Sequence, residues 1–329
     1  MNRLLCLVLI TMAYSCAKET SDSFYPYGSN PLNDTVWVAE PGAAAAVHKL
    51  EKSLDQAANN GSVNAVAGGM ISFPRDLEMI FPPSAFAYPN GTLATGAVNL
   101  EVIYLKTKGD MVRFARPTTS FHRLLESGGA VHIKASKEGQ ELGLAAGKSI
   151  MIRFREPNTN PLMRVFYGEQ NAGSTPPGTN SGFTWVPAAD SSRVATFQRQ
   201  DSMGGVFRGY EMISARFAWV NCDYFVDTSK PRTRVNAILP PNFTNTNTSV
   251  YAILRDQRIV VRLDADYLSR TFFAPALPIG SNVSLVALGI IGDQLYYGAK
   301  QLNVSADALL RLEPEKKTKS EINTFLDQL

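Results

Sequence analysis

Asn221 and Asp223 flank a thiol, Cys222, inside the run AWVNCDYF at 218–225. If that run is a strand, its side chains alternate, so Asn221 and Asp223 share one face as an amide-carboxyl pair while Cys222 faces the other. Such a pair is a candidate ligand site. The plainer reading is a strand-end turn in which both side chains bond backbone groups and Cys222 packs inward. A second cluster is His122, His132 and Glu126, which a hairpin can bring together around a metal; ordinary surface or hydrogen-bonded imidazoles are the simpler account of two histidines. For glycoside hydrolysis two facing carboxylates are needed, and Glu101, Asp110, Glu126, Asp223, Asp264 and Asp266 are all available. With 29 acidic residues in the chain, that supply selects no pair.

Other chemistries lack their motifs. There is no HExxH or Asp-x-Asp-x-Asp loop for a zinc hydrolase or an EF-hand, and no Gly-x-Ser-x-Gly elbow for acyl transfer. Ser127-Gly128-Gly129 reads as a glycine turn that needs positive φ. Neither GxxxxGK[ST] nor GxGxxG is present to cradle a phosphate. A net charge of +3 gives no basic excess for nucleic acid. No cofactor and no catalytic residue follows from these motifs. Sugar binding would use Trp37, Trp185, Trp219 or the Tyr296-Tyr297 pair, although aromatics on strands more often belong to a core. The polar run 242–249 reads as a solvated loop, with a ligand loop as the alternative. Arg116, Arg153, Arg155, Arg164 and Arg193 can form a basic strip on a half-exposed sheet.

The elements that must position these residues are mostly strands. Residues 97–106, 129–136, 149–156 and 162–169 alternate with period two or carry β-branched and aromatic residues, and 209–220, 234–240, 248–255, 258–265, 282–291 and 295–304 follow suit. Between them PPS, YPNG, TKGD, ESGG and KEGQ are turn chemistry. One helix is expected over 41–60, its stripe being Val47, Leu50, Leu54 and Ala57 or Ala58, with Asn60-Gly61 as its stop. A second is expected at the end of the chain, where Thr318 and Glu321 fit a capping box and Ile322, Phe325, Leu326 and Leu329 share a face. The fold class is therefore mainly β: two β-sandwich-like domains with an N-terminal and a C-terminal helix. Boundaries fall at the polar stretches 170–182 and 227–233. A larger sandwich with its helix occupies 41–230, and a smaller β-domain with the C-terminal helix occupies 231–329.

The first sixteen residues carry their own chemistry. Asn2 and Arg3 precede the apolar run Leu4 to Ile10, and Ala13-Tyr14-Ser15 leads to Cys16. This resembles the lipobox of bacterial lipoproteins. The resemblance implies removal of residues 1–15 as a signal peptide, acylation of Cys16 by palmitate-type chains, and attachment to a membrane through lipid. Residues 16–40 then comprise the lipidated Cys and a flexible tether. Lys18-Glu19 is similar to the short signal that sends some lipoproteins to the outer face of the outer membrane, so the expected location is the cell envelope, with the outer membrane and cell surface favoured. Cys6 leaves with the signal and Cys16 is used, so Cys222 has no partner for a disulfide. Asp34-Thr35-Val36 and Asp201-Ser202-Met203 resemble the triplet O-glycosylated in some lipoprotein-rich bacteria, which marks Thr35 and Ser202 as glycosylation candidates.

Residues 68–112, with PPSAF at 82–86 followed by a Gly and an alternating strand, resemble the sandwich module of zonula-occludens, ankyrin and netrin-receptor proteins. The following PTTSFHRLLESGGAVHIKAS, LGLAAGKSIMIRF, MRVFYGE and AWVNCDYF are similar to a pattern in uncharacterised bacterial surface lipoproteins. The likeness covers about 70–225 and implies interaction and architecture. Some relatives of the module cut themselves at His-x-Ser/Thr; Ser120-Phe121-His122 has the wrong order, and that activity is not carried over. The expected function is a lipid-anchored envelope protein with a non-enzymatic binding or structural role toward an envelope protein or a glycan. The alternatives are an extracellular glycan-binding protein and a carbohydrate-active or proteolytic enzyme with dispersed carboxylates.

Overall fold

The computed structural model describes residues 35–170, 182–200, 205–226 and 229–329. The expected signal peptide, Cys16, Ser202 and most of the tether lie outside these residues. The fold is mainly β, and among the described residues 23 strands form four sheets.

In the first sheet the order is β1 (Asn59–Asn64), β5 (Ala97–Leu105), β7 (Arg123–Lys137), β14 (Ala218–Phe225), β10 (Arg164–Gln170), β11 (Phe183–Pro187). β6 (Thr119–Ser120) and β8 (Gln140–Leu144) pair with β7, and β4 (Phe86–Ala87) pairs with β8. The facing sheet runs β12 (Arg193–Gln200), β13 (Val206–Ser214), β9 (Ile150–Arg155), β3 (Leu77–Phe81), β2 (Gly69–Phe73). Between the two sheets lies a core that includes Val98, Leu100, Val131, Ile133, Met79, Ile152, Phe154 and Cys222.

A second sandwich pairs β18 (Asp264–Asp266), β19 (Thr271–Pro278), β15 (Arg232–Ile238) and β22 (Leu309–Arg311) against β17 (Ile259–Arg262), β16 (Thr248–Leu254), β20 (Asn282–Ile291), β21 (Gln294–Asn303) and β23 (Glu315–Lys317). Its core holds Val235, Phe272, Val250, Ala252, Val283 and Leu285. A third apolar cluster joins the two sandwiches. Phe166, Trp185, Leu125 and Leu105 of the first meet Tyr251, Ile253, Val286 and Leu288 of the second, together with the helices α1 (Ala46–Leu54) and α3 (Lys319–Asp327). The sheet containing β16 and β20 is thus covered on both faces. This is why these two strands read as unbroken apolar runs rather than alternating ones. Backbone bonds cross the same seam: Thr118 N–H to Val260 O at 2.7 Å and Ser127 N–H to Arg258 O at 3.1 Å.

Several expectations need correction. α1 spans Ala46–Leu54, not 41–60. Val47, Leu50 and Leu54 are its buried stripe, but beyond them Ala57 is exposed, so packing no longer supports a helix, and Asn59 and Asn60 instead pair with Val102 and Glu101 of β5. The run 209–220 is two strands in different sheets. The chain crosses the sandwich at Ala215-Arg216-Phe217, and Ala218 takes a positive φ of 82° as β14 begins. Likewise 258–265 divides into β17 and β18, which lie in opposite sheets of the second sandwich. TKGD is not a turn but the start of a short helix, α2 (Lys108–Arg113), with a capping box between Thr107 and Asp110. The α3 capping box forms as expected, Thr318 N–H reaching Glu321 Oε2 at 2.8 Å.

The loop at 242–249 is not solvated. Thr244, Asn245, Asn247, Thr248 and Ser249 are buried. Asn245 accepts from Val38 N–H at 3.2 Å and donates to Val38 O at 2.6 Å, and Thr246 O accepts from Val47 N–H. Its polar side chains serve buried backbone that would otherwise lack partners. Among the described residues no helix is long and apolar enough to cross a membrane.

Candidate functional site

Ser127-Gly128-Gly129 lies within β7 and makes a β-bulge rather than a turn. Cys222 stands opposite Gly129 and Asp223 opposite Ser127, so Gly128 is the extra residue. A Cβ at Gly128 would meet Cys222 O and the Tyr210 ring at 3.1 Å, and Gly129 takes φ +145°. The bulge moves Ser127 toward β14, where its hydroxyl donates to Asn221 Oδ1 at 3.2 Å. Asn221 Nδ2 donates to Asp223 Oδ2 at 2.7 Å. Asn221 and Asp223 do share a face, with Cys222 in the opposite core, but they lie within the strand and bond each other; neither occupies a strand-end turn. Both are fully buried and Asp223 Oδ1 has no partner. Burial pushes the Asp223 carboxyl up to about 8, opposed by Ser127 and Asn221, so near pH 7 it mostly keeps its proton. Burial also pushes the Cys222 thiol up, which makes it a poor nucleophile.

Ser127 is at the same time part of the wall of a polar cleft of about 520 Å³. The first sandwich contributes Lys106 from the end of β5, Lys108 from α2, Glu126 from β7, Glu156 and Asn158 from the loop after β9, and Tyr210 and Tyr224 from β13 and β14. The second contributes Arg255 to Arg258 from the β16–β17 turn. Lys106 Nζ donates to Glu156 Oε2 at 2.7 Å, Arg155 O at 2.9 Å and Gly128 O at 3.2 Å. Arg258 donates to the same Glu156 oxygen at 3.0 Å and to Ser127 O at 2.9 Å. Burial would raise Glu156, but the bond and charge of Lys106, aided by Arg258, hold it below the usual carboxylate range. Lys106 is lowered, chiefly by burial. Elsewhere in the lining Glu126 accepts from Tyr224 at 2.5 Å and from Gln257 at 3.0 Å. Burial, then the bond to Glu126, pushes Tyr224 up to about 12.

The remaining candidates are dispersed. His132 packs on Trp219 with centroids 4.9 Å apart, while His122 lies 3.9 Å from Asp264; neither meets Glu126, and among the described residues no three His, Cys, Asp or Glu side chains gather to hold a metal. Asp110 caps α2 and binds Arg75 at 2.7 Å. Trp185 is buried, Trp37 packs on Phe272, and Tyr296 and Tyr297 pack on Phe243 and Phe325, so these rings do not form one open platform. The arginines form no single strip. Arg153 pairs with Glu211 at 2.7 Å, whereas Arg116 lies over Phe183 and Trp219 of the first sheet. Thr35 is half-buried.

Lys106, Glu156, Arg258 and Tyr224 were not singled out from sequence. Each is an ordinary polar residue at or beside a strand end, and only the pairing of β7 with β14 and the docking of the second sandwich bring them together. The chain is thus a double β-sandwich with a polar cleft at its seam. No protein-family model matches the chain, and neither a curated protein nor a solved structure is significantly similar to it.

Proposed function

We propose that this is a lipid-anchored cell-envelope protein, held through Cys16, whose folded unit binds a ligand or partner in the seam cleft without turning it over. The lipobox-like Ala13-Tyr14-Ser15-Cys16 supports the anchor. The observation that carries the binding role is the Lys106-Glu156-Arg258 cluster. Lys106 commits all three ammonium protons to protein acceptors, and Glu156 takes one bond from each sandwich, so these charges fix the shape of the cleft. A hydrolase working through Glu126 and Glu156 would use one carboxyl as an acid near neutral pH. Glu156 is shifted the opposite way and could serve only as the ionised partner, yet its Oε2 is already bound by Lys106 and Arg258.

Two measurements test this reading. Metabolic labelling with a fatty acid is expected to mark the wild type and not Cys16→Ala; equal labelling would remove the anchor. Capture from envelope extracts by wild type, compared with Asn158→Ala on the cleft rim, is expected to show a species lost in the variant. Identical captures would move the binding site away from the cleft.

A further inference from the structure

Resting on the binding role of the cleft, the charges and hydrogen bonds of its lining narrow the ligand. Lys106 and Arg258 are committed to Glu156. Counted with that cluster, the lining carries four cations, Lys106, Lys108, Arg255 and Arg258, against three carboxylates, Glu126, Glu156 and Asp256, so it calls for no strongly charged ligand. The open valences are also mixed. Lys108 Nζ gives protons to Leu254 O at 3.0 Å and Arg255 O at 3.1 Å, which leaves it one to give. Tyr210 Oη accepts from Asn160 N–H at 2.5 Å, but the residue is fully buried and offers a ligand nothing. Glu126 receives both of its bonds at Oε2, which leaves Oε1 as an acceptor. An anion can only accept and an ammonium can only donate; a hydroxyl does both.

We infer that the seam cleft takes a short neutral saccharide. Its hydroxyls accept from Lys108 and donate to Glu126, with the planar amides of Asn158 and Gln257 available to adjacent hydroxyl pairs. The cleft volume falls within the range of small-ligand sites. This site differs from the tryptophan platform that composition suggests, because it works through hydrogen bonds from both sandwiches.

The test is calorimetric titration of the detergent-solubilised full chain with cellotriose, maltotriose and tri-N-acetylchitotriose, alongside trialanine. At least one trisaccharide is expected to bind, and Glu126→Gln and Asn158→Ala are each expected to weaken it tenfold or more. Asn158 is exposed, so its variant keeps the test valid should Glu126→Gln fold poorly. Trisaccharide binding that neither variant changes would overturn the assignment. Trialanine binding alone, sensitive to both variants, would overturn the saccharide and leave the binding role standing. Failure of all four probes to bind would overturn the saccharide, and loss of the cleft-dependent capture from envelope extracts would overturn the binding role separately.

Discussion

Asn221 Nδ2 lies 2.7 Å from Asp223 Oδ2, two residues along one face of β14, with both side chains closed to solvent. The contact favours the ionised form, but burial outweighs it and the carboxyl is largely protonated at neutral pH. In the unfolded chain that carboxyl ionises near 3.8, and in the folded protein near 8. Between these values the native state holds the extra proton, so raising the pH drains stability, by up to about 1.4 kcal/mol per pH unit from this group. Asp223→Asn cannot titrate. It is expected to melt higher than wild type at pH 8 and to flatten the dependence of the melting temperature on pH between 4 and 8, as read by scanning calorimetry. A steeper slope in the variant would count against a buried neutral carboxyl.

Glu156 binds cations from both sandwiches. Replacing it by Gln leaves Lys106 and Arg258 without their shared counter-charge, and a loss of about 3 kcal/mol is expected in denaturant titration. Lys106→Met combined with Glu156→Leu should cost less than the two single changes added together, because it removes both buried charges. Strict additivity would show that the pair is not coupled.

At Gly109 in α2 a Cβ would lie 1.8 Å from Leu326 O of α3. In a free helix Gly→Ala gains about 1 kcal/mol. Here that gain is expected to be outweighed, with α3 losing its seat even though Arg113 still bonds Asn323 O at 3.0 Å and Asp327. Faster amide exchange over residues 319–327 in Gly109→Ala is the readout; unchanged exchange would show that the helices can shift apart freely.

Asn245 supplies both bonds to the backbone of Val38. Asn245→Ala leaves that donor and acceptor unmet and is expected to cost about 1–3 kcal/mol. Loss of exchange protection at the Val38 amide is the local signature to look for.

Much of the strand content was legible because alternation and turn residues act locally. β5, β9, β16 and β20 fall within a residue or so of the runs that predict them, and α3 is signalled by its capping box. Where the chain changes sheet the signal fails. Apolar and aromatic residues continue from Ile213 to Val220, and nothing local marks Ala215-Arg216-Phe217 as a crossing or Leu263 as the break between β17 and β18. Burial of the polar run 242–249 is invisible for a different reason: its side chains are paid for by distant backbone, Val38 and Val47, that only the fold supplies. Of the site, the common face of Asn221 and Asp223 followed from period two. The cleft did not, since Lys106, Glu156 and Arg258 are scattered over some 150 residues of sequence.

The backbone bonds from Thr118 to Val260 and from Ser127 to Arg258 have a bearing on selectivity. Two modules joined by a linker can close around what they hold and tolerate a range of sizes. Strands stitched to one another cannot scissor, so the width of the cleft at the seam works like a fixed gauge. A molecule one substituent too thick is excluded outright, and one too thin forfeits contact with one wall, so discrimination by thickness is set before anything binds.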